Sequence, residues 1–201
     1  LPAPNETGTN RLRPGARKRV EIDGDGAITE RDLYYAGDAA PRVSFGIKGG
    51  LQWKGIDFSV FFQGVGQQKI LRDGNLAYAF RANYTAQNSK FLNQTWTLDN
   101  PGAEYTILSR DNAFNNFNYV NSDVLVTNNR YIRLKNLQVG YTLPSKWMNK
   151  IFVDKLRVYF SGDDLWEWTK VKDGYDPEHG ESSNSLFPLC RMLTFGVELT
   201  L

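Results

Sequence analysis

The chain has 201 residues, enough for one sizeable core and too few to argue for several. Its 24 basic and 22 acidic side chains leave a net charge of +2, so no global field directs it to nucleic acid or anionic lipid. The single cysteine, Cys190, excludes an internal disulfide framework and reads as a buried small hydrophobe.

Leu1 to Asn10 carry neither the basic nor the apolar region of a signal peptide, and no unbroken apolar run of about 18 residues offers a spanning helix. Membrane strands escape that test, because only every second residue of such a strand meets lipid. The segment 1–41 is rich in Pro and Gly and holds a basic cluster, Arg11, Arg13, Arg17, Lys18 and Arg19. A solvated loop explains these charges; a phosphate-rich surface ligand such as lipopolysaccharide is the sharper alternative.

Within that segment, Glu21 to Asp32 match the calcium loop of an EF-hand. Candidate ligands are Glu21, Asp23, Asp25, the carbonyl of Ala27 and Asp32, with Thr29 at the ninth position and Gly26 turning the chain. Ca²⁺ takes about 6–8 oxygens, so short carboxylates on alternate residues must wrap around it. Glu21 is longer than the usual opening Asp and Asp32 shorter than the usual closing Glu. The spacing therefore allows either a structural Ca²⁺ clamp or an Asp/Gly-rich turn that needs no ion.

From Val43 the pattern switches to period 2. Val43, Phe45, Ile47, Leu51 and Trp53 alternate with Ser44, Gly46, Lys48, Gly50 and Gln52. After Lys54-Gly55, Ile56, Phe58, Val60 and Phe62 alternate with Asp57, Ser59, Phe61 and Gln63, which predicts a tight hairpin. A third strand starts near Arg130. Ile132 and Leu134 share a face with Leu137, Val139 and Tyr141 only if a bulge near Asn136 absorbs a slip of phase. Leu156, Val158 and Phe160 oppose Arg157, Tyr159 and Ser161 in a fourth strand, and Leu193, Phe195, Val197 and Leu199 oppose Thr194, Gly196 and Glu198 in a fifth.

Each strand has about the 10 residues that a tilted strand needs to cross a hydrocarbon core. Trp53, Trp147, Trp166 and Trp168 sit near strand ends, as interfacial girdles do. Short links alternate with long polar ones, the habit of periplasmic turns and outer loops. Alternation alone also suits a soluble sandwich, here a secreted calcium-dependent carbohydrate-binding module. No nucleophile elbow, metal trio or oxyanion loop accompanies the lone His179 beside Glu178 and Glu181, so the expectation is a protein without catalysis.

A string of segments carries a resemblance: Asp23-Gly-Asp-Gly with Ile28; Val43-Ser-Phe-Gly; Gly55-Ile-Asp-Phe-Ser-Val-Phe-Phe-Gln-Gly-Val-Gly66; and Tyr131-Ile-Arg-Leu-Lys-Asn-Leu-Gln-Val-Gly-Tyr-Thr-Leu-Pro144. Leu156-Arg-Val-Tyr-Phe-Ser-Gly162, Trp168-Thr-Lys, Gly174-Tyr-Asp-Pro-Glu178 and Thr194-Phe-Gly-Val-Glu-Leu-Thr-Leu201 follow in order. From about Glu21 to Leu201 the chain resembles the SusC/RagA-type TonB-dependent outer-membrane transporters. Members of that family mostly end in an aromatic residue, where this chain has Leu201.

The resemblance implies an all-β fold, the C-terminal antiparallel strands of a transmembrane β-barrel of about 22 strands, with this chain an incomplete fragment of it. The expected parts are an outer loop at 1–41, a hairpin at 42–66, a long outer loop at 67–129, a hairpin at 130–166, an outer loop at 167–189 and a terminal strand at 190–201. The implied setting is the bacterial outer membrane and its lipid. The implied role is nutrient import of an oligosaccharide or peptide with a SusD-like surface lipoprotein, the TonB complex engaging an N-terminal part beyond these residues. The remaining barrel and its plug would complete the structure. Lys48, Gln52, Asp57, Gln63 and Arg157 would face the lumen, and Trp166, Trp168 and Tyr175 could stack on sugar rings in or near an outer loop.

Overall fold

The computed structural model describes residues 13–74, 77–78, 89–148, 153–172, 174–179 and 189–201. Arg11 and Glu181 lie outside these residues. The chain forms two compact units. One comprises Leu1–Ala39, Lys69–Thr127 and Glu181–Ser185; the other comprises Ala40–Gln68, Asn128–Gly180 and Leu186–Leu201.

The second unit is a five-stranded antiparallel sheet. Its strands are β1 (Val43–Trp53), β2 (Ile56–Gln67), β5 (Tyr131–Thr142), β6 (Lys155–Thr169) and β7 (Met192–Thr200), in the spatial order β1-β2-β5-β6-β7. Two short strands, β3 (Lys69–Leu71) and β4 (Val126–Asn128), pair separately. Lys54 and Gly55 both have positive φ, 47° and 87°, and close the β1–β2 hairpin as a type I′ turn, whose twist matches that of the strands. Between β5 and β6 the link includes the short helix α2 (Ser145–Met148).

Register aligns the apolar positions across all five strands. Leu51 pairs with Phe58, Phe58 with Val139, Val139 with Phe160 and Phe160 with Phe195, whose rings lie 5.1 Å apart. The phase slip expected near Asn136 is present. Phe61 pairs with Asn136 but Phe62 with Leu134, so Lys135 is the extra residue against β2. Across from it, Asp164 and Leu165 fill the gap between the pairs Leu134–Trp166 and Asn136–Asp163. The bulge keeps Ile132 and Leu134 on the same face as Leu137, Val139 and Tyr141.

That face is apolar and uncovered: Ile47, Leu51, Phe195 and Val197 are all exposed. A sandwich would bury it against a second sheet, so the soluble-sandwich alternative does not describe this fold. β6 extends to Thr169, which places Glu167, Trp168 and Thr169 in a strand rather than in the loop expected from residue 167. Cys190, expected to be buried, is exposed, because it lies ahead of β7 and not within a packed strand.

The first unit packs around aromatic side chains. Its helix α1 (Asn112–Asn118) is N-capped by Asp111, whose Oδ1 accepts from the amides of Ala113 and Phe114. Phe114, Phe117, Tyr119 and Leu125 are buried, and Phe91 meets Tyr105 edge-on at 4.6 Å. The basic cluster is not simply solvated. The guanidinium of Arg13 lies 3.8 Å from the ring centre of Phe114, that of Arg19 4.9 Å from Phe117, and that of Arg17 5.2 Å from Tyr119.

The two faces of the sheet make a directional prediction. Against hydrocarbon, Leu137→Arg should cost about 2–4 kcal/mol and sharply reduce the folded, protease-resistant protein recovered from membranes, whereas Gln138→Lys on the opposite face should leave the yield near wild type. Equal yields for the two variants would contradict a lipid-facing apolar side.

Candidate functional site

The polar face of the sheet carries the charge. Its densest feature is Arg133 on β5, whose side chain is only 4% exposed. Arg133 Nη2 donates to Asp176 Oδ1 at 2.8 Å and to Glu167 Oε2, and its Nη1 donates to Glu178 Oε2 at 2.6 Å. The bulge residue Lys135 reaches the same cluster, with Nζ 2.8 Å from Asp164 Oδ1 and 2.9 Å from Glu178 Oε2. A cation this deeply buried is tolerated only with such partners.

Two of those carboxylates lie in the segment 174–179 after β6, so the cluster ties that segment to the wall. Asn129 adds a further tie, its Nδ2 donating to Pro177 O at 2.7 Å and to Gln68 Oε1 at 2.7 Å. The Gly174-Tyr-Asp-Pro-Glu178 motif is therefore a strap fastened by Arg133, Lys135 and Asn129. Beside it lies a small cavity of about 200 Å³, lined by Arg133, Glu167, Tyr175, Asp176 and Arg191 among others.

A second ionic bridge joins side chains of three strands and crosses a fourth. Arg157 on β6 makes a two-pronged contact with Asp57 on β2, at 2.9 Å and 2.6 Å, and a third with Glu198 on β7 at 3.2 Å. The Arg157–Asp57 contact passes over β5 at Gly140. A Cβ there would fall 2.5 Å from Asp57 Oδ1 and 2.6 Å from Arg157 Nη2, so only glycine lets the bridge close.

The structure separates the residues expected to contact a solute. Trp166 and Trp168 pair with Leu134 and Ile132 and share the apolar face, while Tyr175 lines the cavity beside Arg133. Asp57, Gln63 and Arg157 lie on the polar face, in register with Gln52, Arg133 and Thr142 respectively, and Lys48 pairs with Phe61 on that same face. His179 is half-buried next to Glu178.

The Asp/Gly loop folds on its own carboxylates. Glu21 Oε1 accepts from the amides of Gly24 and Asp25, Asp23 Oδ1 from Asp25, and Asp25 Oδ1 from Ala27. These turns gather the carboxylates of Glu21, Asp23 and Asp25, with ligand oxygens all within 4.8 Å of one another. Asp32 is not in that group. It is buried at the end of a short 3-10 turn, where Oδ1 accepts from Ile22 at 2.6 Å and Oδ2 from Thr29 at 2.7 Å. The bond from Ile22, then that from Thr29, holds the Asp32 carboxyl below its ordinary range. Because the folded value lies below the unfolded one, its contribution is complete above the ordinary carboxylate pKa of about 3.9 and is lost as pH falls toward the folded value.

Strand order, register and the division into one apolar and one charged face are those of an antiparallel membrane-barrel wall, and solved structures share the fold. No family model matches the chain. It is 28% identical over 173 residues to TonB-dependent receptor P3 of Formosa agariphila, covering 82% of this chain and 16% of that protein. It is 26% identical over 205 residues to TonB-dependent receptor P26 of the same organism, covering 92% and 20%. In fold it matches the RagAB peptide transporter with a TM-score of 0.66 at 22% identity, over 86% of this chain and 19% of that one. The RagAB peptide importer in its open-open state gives a TM-score of 0.63 at 23% identity, over 90% and 20%. In fold the chain matches part of a large transporter barrel, and in sequence it is similar to TonB-dependent receptors, spanning about a fifth or less of their length.

The buried cluster yields a prediction. Arg133→Ala strands three carboxylates and should destabilise the wall by about 3–5 kcal/mol. Hydrogen exchange would read this as faster exchange throughout 174–179, with Lys135→Ala having a smaller effect. Unchanged protection of the strap in Arg133→Ala would contradict the assignment.

Proposed function

We propose that these residues form wall and outer loops of a TonB-dependent importer in the bacterial outer membrane, which takes up glycans or peptides together with a SusD-like surface lipoprotein. The observation that carries this reading is the uncovered apolar face, continuous over five antiparallel strands and backed by a charged inner wall. In a bilayer the free edges of β1 and β7 must pair with further strands, since unpaired backbone groups are not tolerated in lipid. The names of the relatives support import, and the RagAB structures are described as those of a peptide transporter.

On this reading the residues do no chemistry. Trp166 and Trp168 anchor the barrel at an interface, and Tyr175, which lines the cavity beside Arg133, is the aromatic residue we propose to meet a solute. The energy for transport comes from TonB acting on parts outside this chain.

The test is uptake of labelled oligosaccharide and labelled peptide pools by cells carrying the parent receptor. Uptake of one pool should depend on the receptor and on TonB, and a surface lipoprotein should co-purify after gentle detergent extraction. A lone 22.9 kDa species, soluble without detergent, would refute the proposal.

We further propose that the Asp/Gly loop holds Ca²⁺ as a structural clamp. Glu21, Asp23 and Asp25 supply hard oxygen donors, the chemistry that this cation requires, while Asp32 pins the loop backbone. Calorimetric titration of the intact receptor with CaCl₂ should show binding heat that Asp23→Ala/Asp25→Ala removes. Undiminished heat in the double variant would reject the clamp.

A further inference from the structure

The first unit contains a larger cavity, about 600 Å³, within the range of small-molecule sites. Its walls include Val20, Ile22, Ile28, Leu33, Leu71 and Val124. Arg17, Lys18, Arg19 and Lys69 also line it. The two acids in the lining are already engaged. Asp32 accepts backbone amides, while Asp123 accepts from Tyr34 Oη at 3.1 Å and from the Val124 amide at 2.9 Å.

The arginines are not matched in this way. Arg17 donates Nη1 to Ser122 Oγ at 3.3 Å and Arg19 donates Nη2 to Phe117 O at 2.5 Å, but both acceptors are neutral. Arg17 Nη2 and Arg19 Nε are buried and have no acceptor among the described residues. Burial lowers the pKa of both guanidiniums, the mark of charge that has been desolvated without full compensation.

The remaining polar lining narrows the ligand. Asn118 is spent within the fold, its Oδ1 accepting from the Arg17 amide and its Nδ2 donating to Phe114 O. Val20, Ile22, Leu33 and Val124 are all exposed, an apolar surface that a glycan or a peptide, dense in hydrogen-bonding groups, covers with less gain than an acyl chain does. We propose that this cavity binds a single-chain anionic amphiphile of the fatty-acid type, its carboxylate held by Arg17 and Arg19 and its chain packed against Val20, Ile22, Leu33 and Val124. The proposal does not depend on the import reading.

Equilibrium dialysis of the full receptor, held in amphipol, would test this with radiolabelled dodecanoate. One dodecanoate should bind per receptor, with dodecanol about tenfold weaker for want of the charge-assisted contacts. Arg17→Gln/Arg19→Gln should weaken dodecanoate about tenfold and leave dodecanol unchanged. Leu33→Glu keeps both arginines, alters an exposed position and should abolish binding of both probes while the tryptic pattern stays native. Absence of saturable dodecanoate binding, equal affinity in the arginine variant, or preferential binding of lipopolysaccharide or an acidic hexapeptide would overturn the proposal.

Discussion

Alternation is the constraint on which the second unit depends. A strand sends successive side chains to opposite faces, so one register error would turn every apolar residue of that strand toward the charged side. Five strands here keep one phase, from Leu51 through Phe58, Val139 and Phe160 to Phe195. The result is a sheet with an uncovered apolar surface on one side and a wall of ion pairs on the other. Such a surface is a liability in water and an asset in lipid, so the fold suits a membrane setting.

The bulge at Lys135 shows how that constraint and the ionic wall are coupled. Without the extra residue, Ile132 and Leu134 would point into the charged face and Arg133 into the apolar one. With it, Arg133 turns inward to meet Glu167, Asp176 and Glu178, and Lys135 reaches Asp164 and Glu178. A local irregularity thus sets both the continuity of the outer face and the attachment of the 174–179 strap. The Arg157 bridge has a similar economy, since it joins β2, β6 and β7 over the missing side chain of Gly140.

The first unit follows a different logic. Its core is aromatic, and Arg13, Arg17 and Arg19 stack on rings. Stacking covers a guanidinium face but leaves N–H donors to be satisfied elsewhere, and at Arg17 and Arg19 that requirement is unmet within the described residues. The Asp/Gly loop is the reverse case, with acids gathered by their own backbone turns. The two charge clusters of this unit are thus complementary in sign and unequal in compensation.

The sequence by itself determined the five strands, the tight turn at Lys54-Gly55, the phase slip near Asn136 and the family likeness, because period 2 and short motifs are local properties. Asp57 and Arg157 were legible as inward-facing for the same reason. Their pairing across Gly140 was not, since it joins residues 100 positions apart. Arg133 and its three acids were missed because only the fold brings 176 and 178 back onto β5. Trp166 and Trp168 read as aromatics at a strand end, in or near an outer loop, and the structure extends β6 to Thr169 and sets both on the apolar face. Asp32 read as a ligand from spacing alone, yet its oxygens are turned toward Ile22 and Thr29. Tertiary structure decided these matters because pairing partners, burial and the direction of a side chain depend on distant chain, which a local pattern does not encode.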